Sequence, residues 1–135
     1  QGYGDASYAH SLLKQFKGEW VYNTDWKMIN GHPKKAGWIK AIQEAQQTVQ
    51  KGLKLDCPIL VMSSNKSFPE TETWHEEYMT SDIVLDVQDI QKYGEKLGDK
   101  VTRDTIPNGI HDLILSQKPY RNDAYQTIFE WLKKQ

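Results

Sequence analysis

The short run Pro58-Ile59-Leu60-Val61-Met62, closed by Ser63-Ser64-Asn65, constrains this chain more than any other stretch. It is apolar at every position and does not alternate. That pattern predicts a strand covered on both faces, the kind found in parallel sheets. A parallel partner has to be reached by a crossover, usually a helix. The sequence supplies one: Asp86 or Val87 opens it, Val87, Ile90, Tyr93 and Leu97 share a face, and Gly98 ends it. Lys100 to Ile106 (KVTRDTI) then reads as the second strand. Strand, helix, strand implies a right-handed crossover between adjacent parallel strands.

Upstream of Asp56 the texture differs, with apolar residues at helical spacing and Lys and Gln as filler. Asp5 is placed to cap a helix through about Phe16, with Tyr8, Leu12 and Leu13 on one face. Residues 17–33 form an aromatic, turn-rich connector. Pro33 suits the first turn of a helix reaching about Gly52, with Trp38, Ile42, Ala45 and Val49 on its apolar stripe. Residues 65–81 are polar and predict a long loop with one helical turn. A last helix is expected from Pro119 to Lys134, its inner face made of Ala124, Tyr125, Ile128, Trp131 and Leu132. The fold class is α/β, and 135 residues suffice for one domain and not two.

Composition removes several classes of function. Seventeen basic against eighteen acidic side chains leave a net charge of −1, so no strong field draws the chain to nucleic acid or an anionic membrane. No apolar run approaches the roughly 18 residues of a membrane span. One cysteine, Cys57, excludes an internal disulfide framework and reads as a buried structural thiol. The four histidines lie apart, and His75-Glu76-Glu77 lacks the second histidine of a zinc helix, so no metal site is expected. Ser63-Ser64-Asn65-Lys66-Ser67 carries no glycine for a phosphate loop, and no cofactor site is expected. Five Trp, seven Tyr and three Phe argue for a real core or an aromatic-lined pocket.

In sheets of this kind, chemistry gathers beyond the carboxyl ends of the strands. Those loops follow Met62 and Ile106. The second reads Asn108-Gly109-Ile110-His111-Asp112-Leu113, and His111 on its Gly turn is well placed for proton transfer at neutral pH, against the alternative of an ordinary loop histidine. The first ends in Ser81-Asp82-Ile83-Val84-Leu85-Asp86-Val87. Asp86 has a structural task, capping the helix that follows. Asp82 has none, and is the candidate to accept the Nδ1 proton of a histidine, against a plain turn aspartate.

Taken together, Pro58-Ile-Leu-Val-Met, Ser81-Asp-Ile-Val-Leu-Asp-Val, Asn108-Gly-Ile-His-Asp-Leu and Ala124-Tyr-Gln-Thr-Ile-Phe-Glu-Trp-Leu resemble the carboxyl-terminal half of an α/β-hydrolase. The nearest likeness is to lysophospholipase-like serine hydrolases grouped with serine aminopeptidases. The family's Asp-x-Val-Val-Asp pattern puts the triad acid on Asp82 and the helix start on Asp86; its Gly-x-His-Asp pattern puts the base on His111. The long 65–81 loop keeps Asp86, Glu76 and Glu77 as alternatives for the acid. By this resemblance residues 1–57 are a lid or cap segment with the helix leading into the sheet. Residues 58–135 are the last two parallel strands of the core with their flanking helices. Trp20, Trp26 and Trp38 become candidate walls of an acyl pocket, with core packing as the alternative.

One part of the family pattern is missing. None of the seven serines lies in Gly-x-Ser-x-Gly, the elbow that exposes the nucleophile, and no Gly-rich oxyanion segment is present. The chain therefore looks like a fragment with acid and base but no nucleophile, inactive alone, from a parent that cleaves small carboxylic esters or related acyl substrates. Its first strand would then expose an unpaired edge, ready to pair with the missing amino-terminal half or another copy. The competing expectation is a small α/β binding or regulatory domain in which Asp82 and His111 are incidental. Hydrogen-bond reach between those two side chains separates the readings.

Overall fold

The computed structural model describes residues 6–135. The elements run α1 (Ala6–Leu12), α2 (Ala36–Lys51), β1 (Ile59–Ser64), α3 (Val87–Gly94), β2 (Val101–Ile106) and α4 (Lys118–Leu132). Single 3-10 turns occur at Glu76–Met79, Glu95–Leu97 and Leu113–Leu115. β1 and β2 pair in parallel, in register from Ile59 opposite Val101 to Ser64 opposite Ile106, and α3 lies in the connection between them. The mixed α/β class expected from the sequence is what forms. Among the described residues no helix is long and apolar enough to cross a membrane.

Alternation along the strands sorts the helices onto opposite faces. On one face α3 presses so closely on β1 that a Cβ added to Gly94 would lie 2.7 Å from Val61 Cγ1. Arg103, opposite Val61, donates to the Gln91 carbonyl at 3.3 Å and pairs with Glu95 at 3.2 Å, tying β2 to the same layer. On the other face lie Leu60 and its partner Thr102, whose hydroxyl accepts from the Trp131 indole of α4 at 3.1 Å. The order is helix, two-stranded sheet, helix.

Several expectations are corrected. β1 starts one residue late and continues through Ser63 and Ser64, because a parallel ladder extends as far as register allows, whatever the hydropathy. Its apolar residues are only half-buried, since two helices cover a two-stranded sheet incompletely and no further strand flanks β1 among the described residues. Asp5, expected to cap α1, lies outside the described residues. The helix stops at Leu12 rather than near Phe16, because the chain doubles back and Trp20 N–H donates to the Leu12 carbonyl at 2.9 Å. Gly18 permits this approach: a Cβ there would fall 2.0 Å from the Leu12 carbonyl carbon.

α2 begins at Ala36, past Pro33, closes on Gly52 at φ +102°, and buries no residue; its Trp38–Ile42 stripe faces solvent. Its carboxyl end is held by Lys96, whose ammonium donates to the Gln50 carbonyl at 2.8 Å and whose carbonyl accepts from Leu53 N–H at 2.9 Å. On α4 only Ala124 is fully buried, while Tyr125 and Leu132 point outward. Cys57, expected inside, is exposed.

The core gathers toward the carboxyl end of the sheet, around Leu12, Leu13, Met79, Ile106, Ile110 and the fully buried Tyr78, which Phe68, Trp74 and His75 surround. A compact chain of this mass exposes about 7,300 Å². This one exposes 9308 Å², with Ile39, Ile42, Phe129 and Leu132 among its solvent-facing apolar side chains.

Candidate active site

The loop leaving β1 makes a wide excursion and returns to its starting point. Asp82 N–H donates to the Lys66 carbonyl at 3.0 Å, and Phe68 N–H donates to the Asp82 carbonyl at 3.0 Å. These bonds close a one-residue parallel bridge between Ser67 and Asp82, just beyond the end of β1. The Ser67 hydroxyl adds a second tie, accepting from Val87 N–H at 2.8 Å and donating to the Leu85 carbonyl at 3.0 Å. The extra residues of 68–81 therefore loop out around Tyr78 without displacing Asp82 from the sheet end.

Asp82 is 1% exposed. Its Oδ1 accepts from Val84 N–H at 2.8 Å and Leu85 N–H at 2.9 Å, and its Oδ2 lies 2.8 Å from His111 Nδ1. The alternatives fall elsewhere. Asp86 caps α3, accepting from Gln88 N–H at 2.8 Å. Glu76 and Glu77 are exposed and pair with Lys17 and Lys66.

The loop after β2 is fixed from two sides. Asn108, at φ +59°, donates its N–H to Asn65 Oδ1 at 3.0 Å, joining the loops that follow the two strands. Ile110 is buried, and its N–H donates to the Ser116 hydroxyl at 3.0 Å. His111 follows, partly exposed, with Nε2 lacking a hydrogen-bond partner among the described residues.

The two groups shift one another's ionisation. Burial opposes charge on Asp82, but the bonds from His111, Leu85 and Val84 outweigh it and hold the carboxyl below its ordinary 3.8. The hydrogen bond to Asp82 raises His111 above 6.5 against the opposing effect of burial, with Asp112 adding in the same direction. An ionised carboxylate has no proton to give, so Nδ1 carries it. Nε2 is then the ring nitrogen left to accept a proton.

Three neighbours of this pair are not visible as such in the sequence. The Tyr8 hydroxyl donates to Asp112 Oδ2, and Asp112 N–H donates back to the same hydroxyl at 3.2 Å. The Tyr8 ring meets His111 edge-on, centroids 6.2 Å apart. Lys27 lies 3.5 Å from Asp112 Oδ2 and over the Tyr8 ring. Burial first, then Asp112, pushes the Tyr8 phenol well above its ordinary 10.0. Asp112 adjoins the histidine in the quoted motif; nothing local marks Tyr8, 104 residues away.

A cleft of about 440 Å³ opens beside this cluster, walled by Tyr8, Trp26, Met28, Ile29, Ile83 and Val84 among others. Of the three tryptophans expected to form a pocket, Trp26 lines this cleft while remaining 84% exposed. Trp20 lines a second hollow together with Trp26, Tyr22 and Leu115, its indole donating to the Leu115 carbonyl at 2.8 Å. Trp38 is half exposed on α2 and belongs to neither. Trp20 and Trp26 thus share a hollow and Trp26 also borders the cleft, while Trp38, on the solvent-facing stripe of α2, is the one of the three that the structure sets apart.

Among the described residues no group of three or more His, Cys, Asp or Glu side chains is arranged to hold a metal ion. No serine, threonine or cysteine among them hydrogen-bonds His111. The arrangement can orient an imidazole, bias it toward one tautomer and receive a proton at Nε2. Searches against protein-family models, curated proteins and solved structures find no match to this chain.

Proposed function

We propose that this chain is the carboxyl-terminal part of a serine hydrolase of the α/β-hydrolase type, with His111 as general base and Asp82 as its orienting acid. The observation that carries the reading is the 2.8 Å bond from His111 Nδ1 to a carboxylate that is 1% exposed and doubly anchored by backbone N–H groups. A solvent-exposed ion pair would serve little purpose. A buried aspartate at the end of a parallel strand pair, facing a histidine with a free Nε2, has the geometry of proton transfer.

In this reading Asp82 stays ionised and holds Nδ1–H, and Nε2 accepts the hydroxyl proton of a serine as its oxygen attacks an acyl carbon. The same nitrogen returns that proton to the departing alcohol. The serine and the oxyanion donors come from a segment outside this sequence, so the chain alone is inactive. The substrate is a small carboxylic ester or related acyl compound, its acyl part directed to the cleft between Trp26, Met28, Ile83 and Val84.

Hydrolysis of a chromogenic short-chain ester by the native protein tests this. His111→Ala and Asp82→Asn are expected to reduce kcat by roughly ten-thousand-fold or more, and the chain of 135 residues is expected to be inert. Ester hydrolysis by this chain alone, or a native protein indifferent to both substitutions, overturns the reading.

A further inference from the structure

Resting on His111 as the base, we propose that Tyr8 is a positioning residue for it: the α1 phenol clamps the backbone and side chain of Asp112, the residue directly after His111, and fixes the imidazole against Asp82. Two bonds make the clamp. The hydroxyl gives its proton to Asp112 Oδ2 and accepts the Asp112 N–H at 3.2 Å, so it restrains the backbone of the base-bearing loop as well as a side chain. The ring supplies the third restraint, meeting the imidazole edge-on at 6.2 Å with planes inclined by 73°. His111 is thus held at Nδ1 by Asp82 and flanked by the Tyr8 ring.

The clamp joins two parts of the chain that are distant in sequence. Tyr8 lies on α1, which is anchored by the buried Ala9 and Leu12 and by the main-chain return from Trp20. The loop beyond β2 is anchored independently, through Asn108 to Asn65 and Ile110 to Ser116. Tyr8 also forms a wall of the adjoining cleft, with Ile83 and Val84 across it. An occupant of that cleft therefore touches the residue that steadies the base. The charged groups around His111 are Asp82, Asp112 and Lys27, and Lys27 balances Asp112 from 3.5 Å. The hydroxyl thus acts through geometry more than through charge.

The test is the Nδ1 proton of His111 in the native protein labelled with 15N-histidine, assigned by its loss in His111→Gln. Held against Asp82, this proton gives a low-field resonance that exchanges slowly with water. Tyr8→Phe keeps the ring and removes both hydroxyl bonds; it is expected to speed exchange by about tenfold, as losing two such bonds implies, with the amide signals of β1 and β2 unmoved. Asp112→Asn retains an acceptor and the N–H donor, and is expected to exchange like wild type. Asp112→Ala removes the Oδ2 acceptor and keeps the backbone N–H bond to the phenol, so it is expected to speed exchange by less than Tyr8→Phe does, and it stands in should that variant fold poorly. Equal exchange in wild type, Tyr8→Phe and Asp112→Ala overturns the role of Tyr8 and leaves the Asp82–His111 pair standing. Absence of the low-field resonance from wild type overturns both.

Discussion

Asp82 gives one carboxylate oxygen to its own loop and the other to His111: Oδ1 takes the N–H groups of Val84 and Leu85, and Oδ2 lies 2.8 Å from the imidazole Nδ1. The residue that orients the histidine is thus also the residue that shapes the turn into α3. Substitution separates the two duties. Asp82→Asn keeps an oxygen for the turn and loses the charge facing His111, and is expected to cost about 1–2 kcal/mol. Asp82→Ala also strands two backbone donors and is expected to cost about 3–5 kcal/mol. Urea unfolding of both variants checks the ranking.

Both ionisation shifts carry into stability, with opposite signs. Asp82 is held below 3.8, so its contribution is present above that pH and is lost as pH falls through the lowered value. His111 is raised above 6.5, so its contribution is complete below 6.5 and is lost as pH rises through the raised value. Unfolding free energy measured against pH is expected to be highest between the two, and Asp82→Asn is expected to flatten both flanks. A wild-type curve without an alkaline decline that this variant removes counts against the shift on His111.

Asp86 provides the control. It lies four residues from Asp82 in a similar acidic stretch, yet it caps α3 through Gln88 N–H. Asp86→Ala is expected to destabilise by about 1 kcal/mol and to leave the His111 titration, followed by NMR, where it is in wild type.

At Gly94 two effects compete. Inside a helix, at φ −56°, alanine is ordinarily preferred to glycine by about 1 kcal/mol. Here the new methyl would stand 2.7 Å from Val61 Cγ1 and 3.1 Å from Cγ2, and overpacking of that kind costs about 1–3 kcal/mol. Gly94→Ala is expected to destabilise, and Val61→Ala in the same chain to recover part of the loss. A lone Gly94→Ala that raises the urea midpoint would show that α3 can retreat from the sheet.

The surface excess has a consequence in solution. A two-stranded sheet is marginal on its own, and the exposed stripe of α2, the outward Phe129 and Leu132 of α4 and the edge of β1, which no other strand among the described residues pairs, all present apolar or hydrogen-bonding surface. Sedimentation of this chain is expected to show concentration-dependent association. A monodisperse monomer at high concentration would contradict it.

Legibility in the sequence follows the range of the interactions. The strand pair, the start of its crossover helix, the Asp86 cap and the two site loops rest on local patterning and form within a residue or two of expectation, whereas α3 ends at Gly94 and a 3-10 turn carries the chain on to Leu97. Asp82 stands out because its neighbour already has a capping task. What escapes depends on distant contacts. α1 stops early because Gly18 and Trp20 return to Leu12, and Trp20 leaves the cleft to reach Leu115. Tyr8 reads as one apolar helix position until Asp112 is beside it. The apolar stripes of α2 and α4 lie on helices, as their spacing predicts, but are largely uncovered. Helical spacing identifies a face and does not say what packs on it.

The most direct test of the central claim is a fluorophosphonate probe, which reacts only with a serine activated by a working base. In the native protein the label is expected on a serine outside these 135 residues, and is expected to vanish in His111→Ala while Asp86→Ala retains it. Label on one of the seven serines of this chain, or labelling that survives His111→Ala, would contradict it.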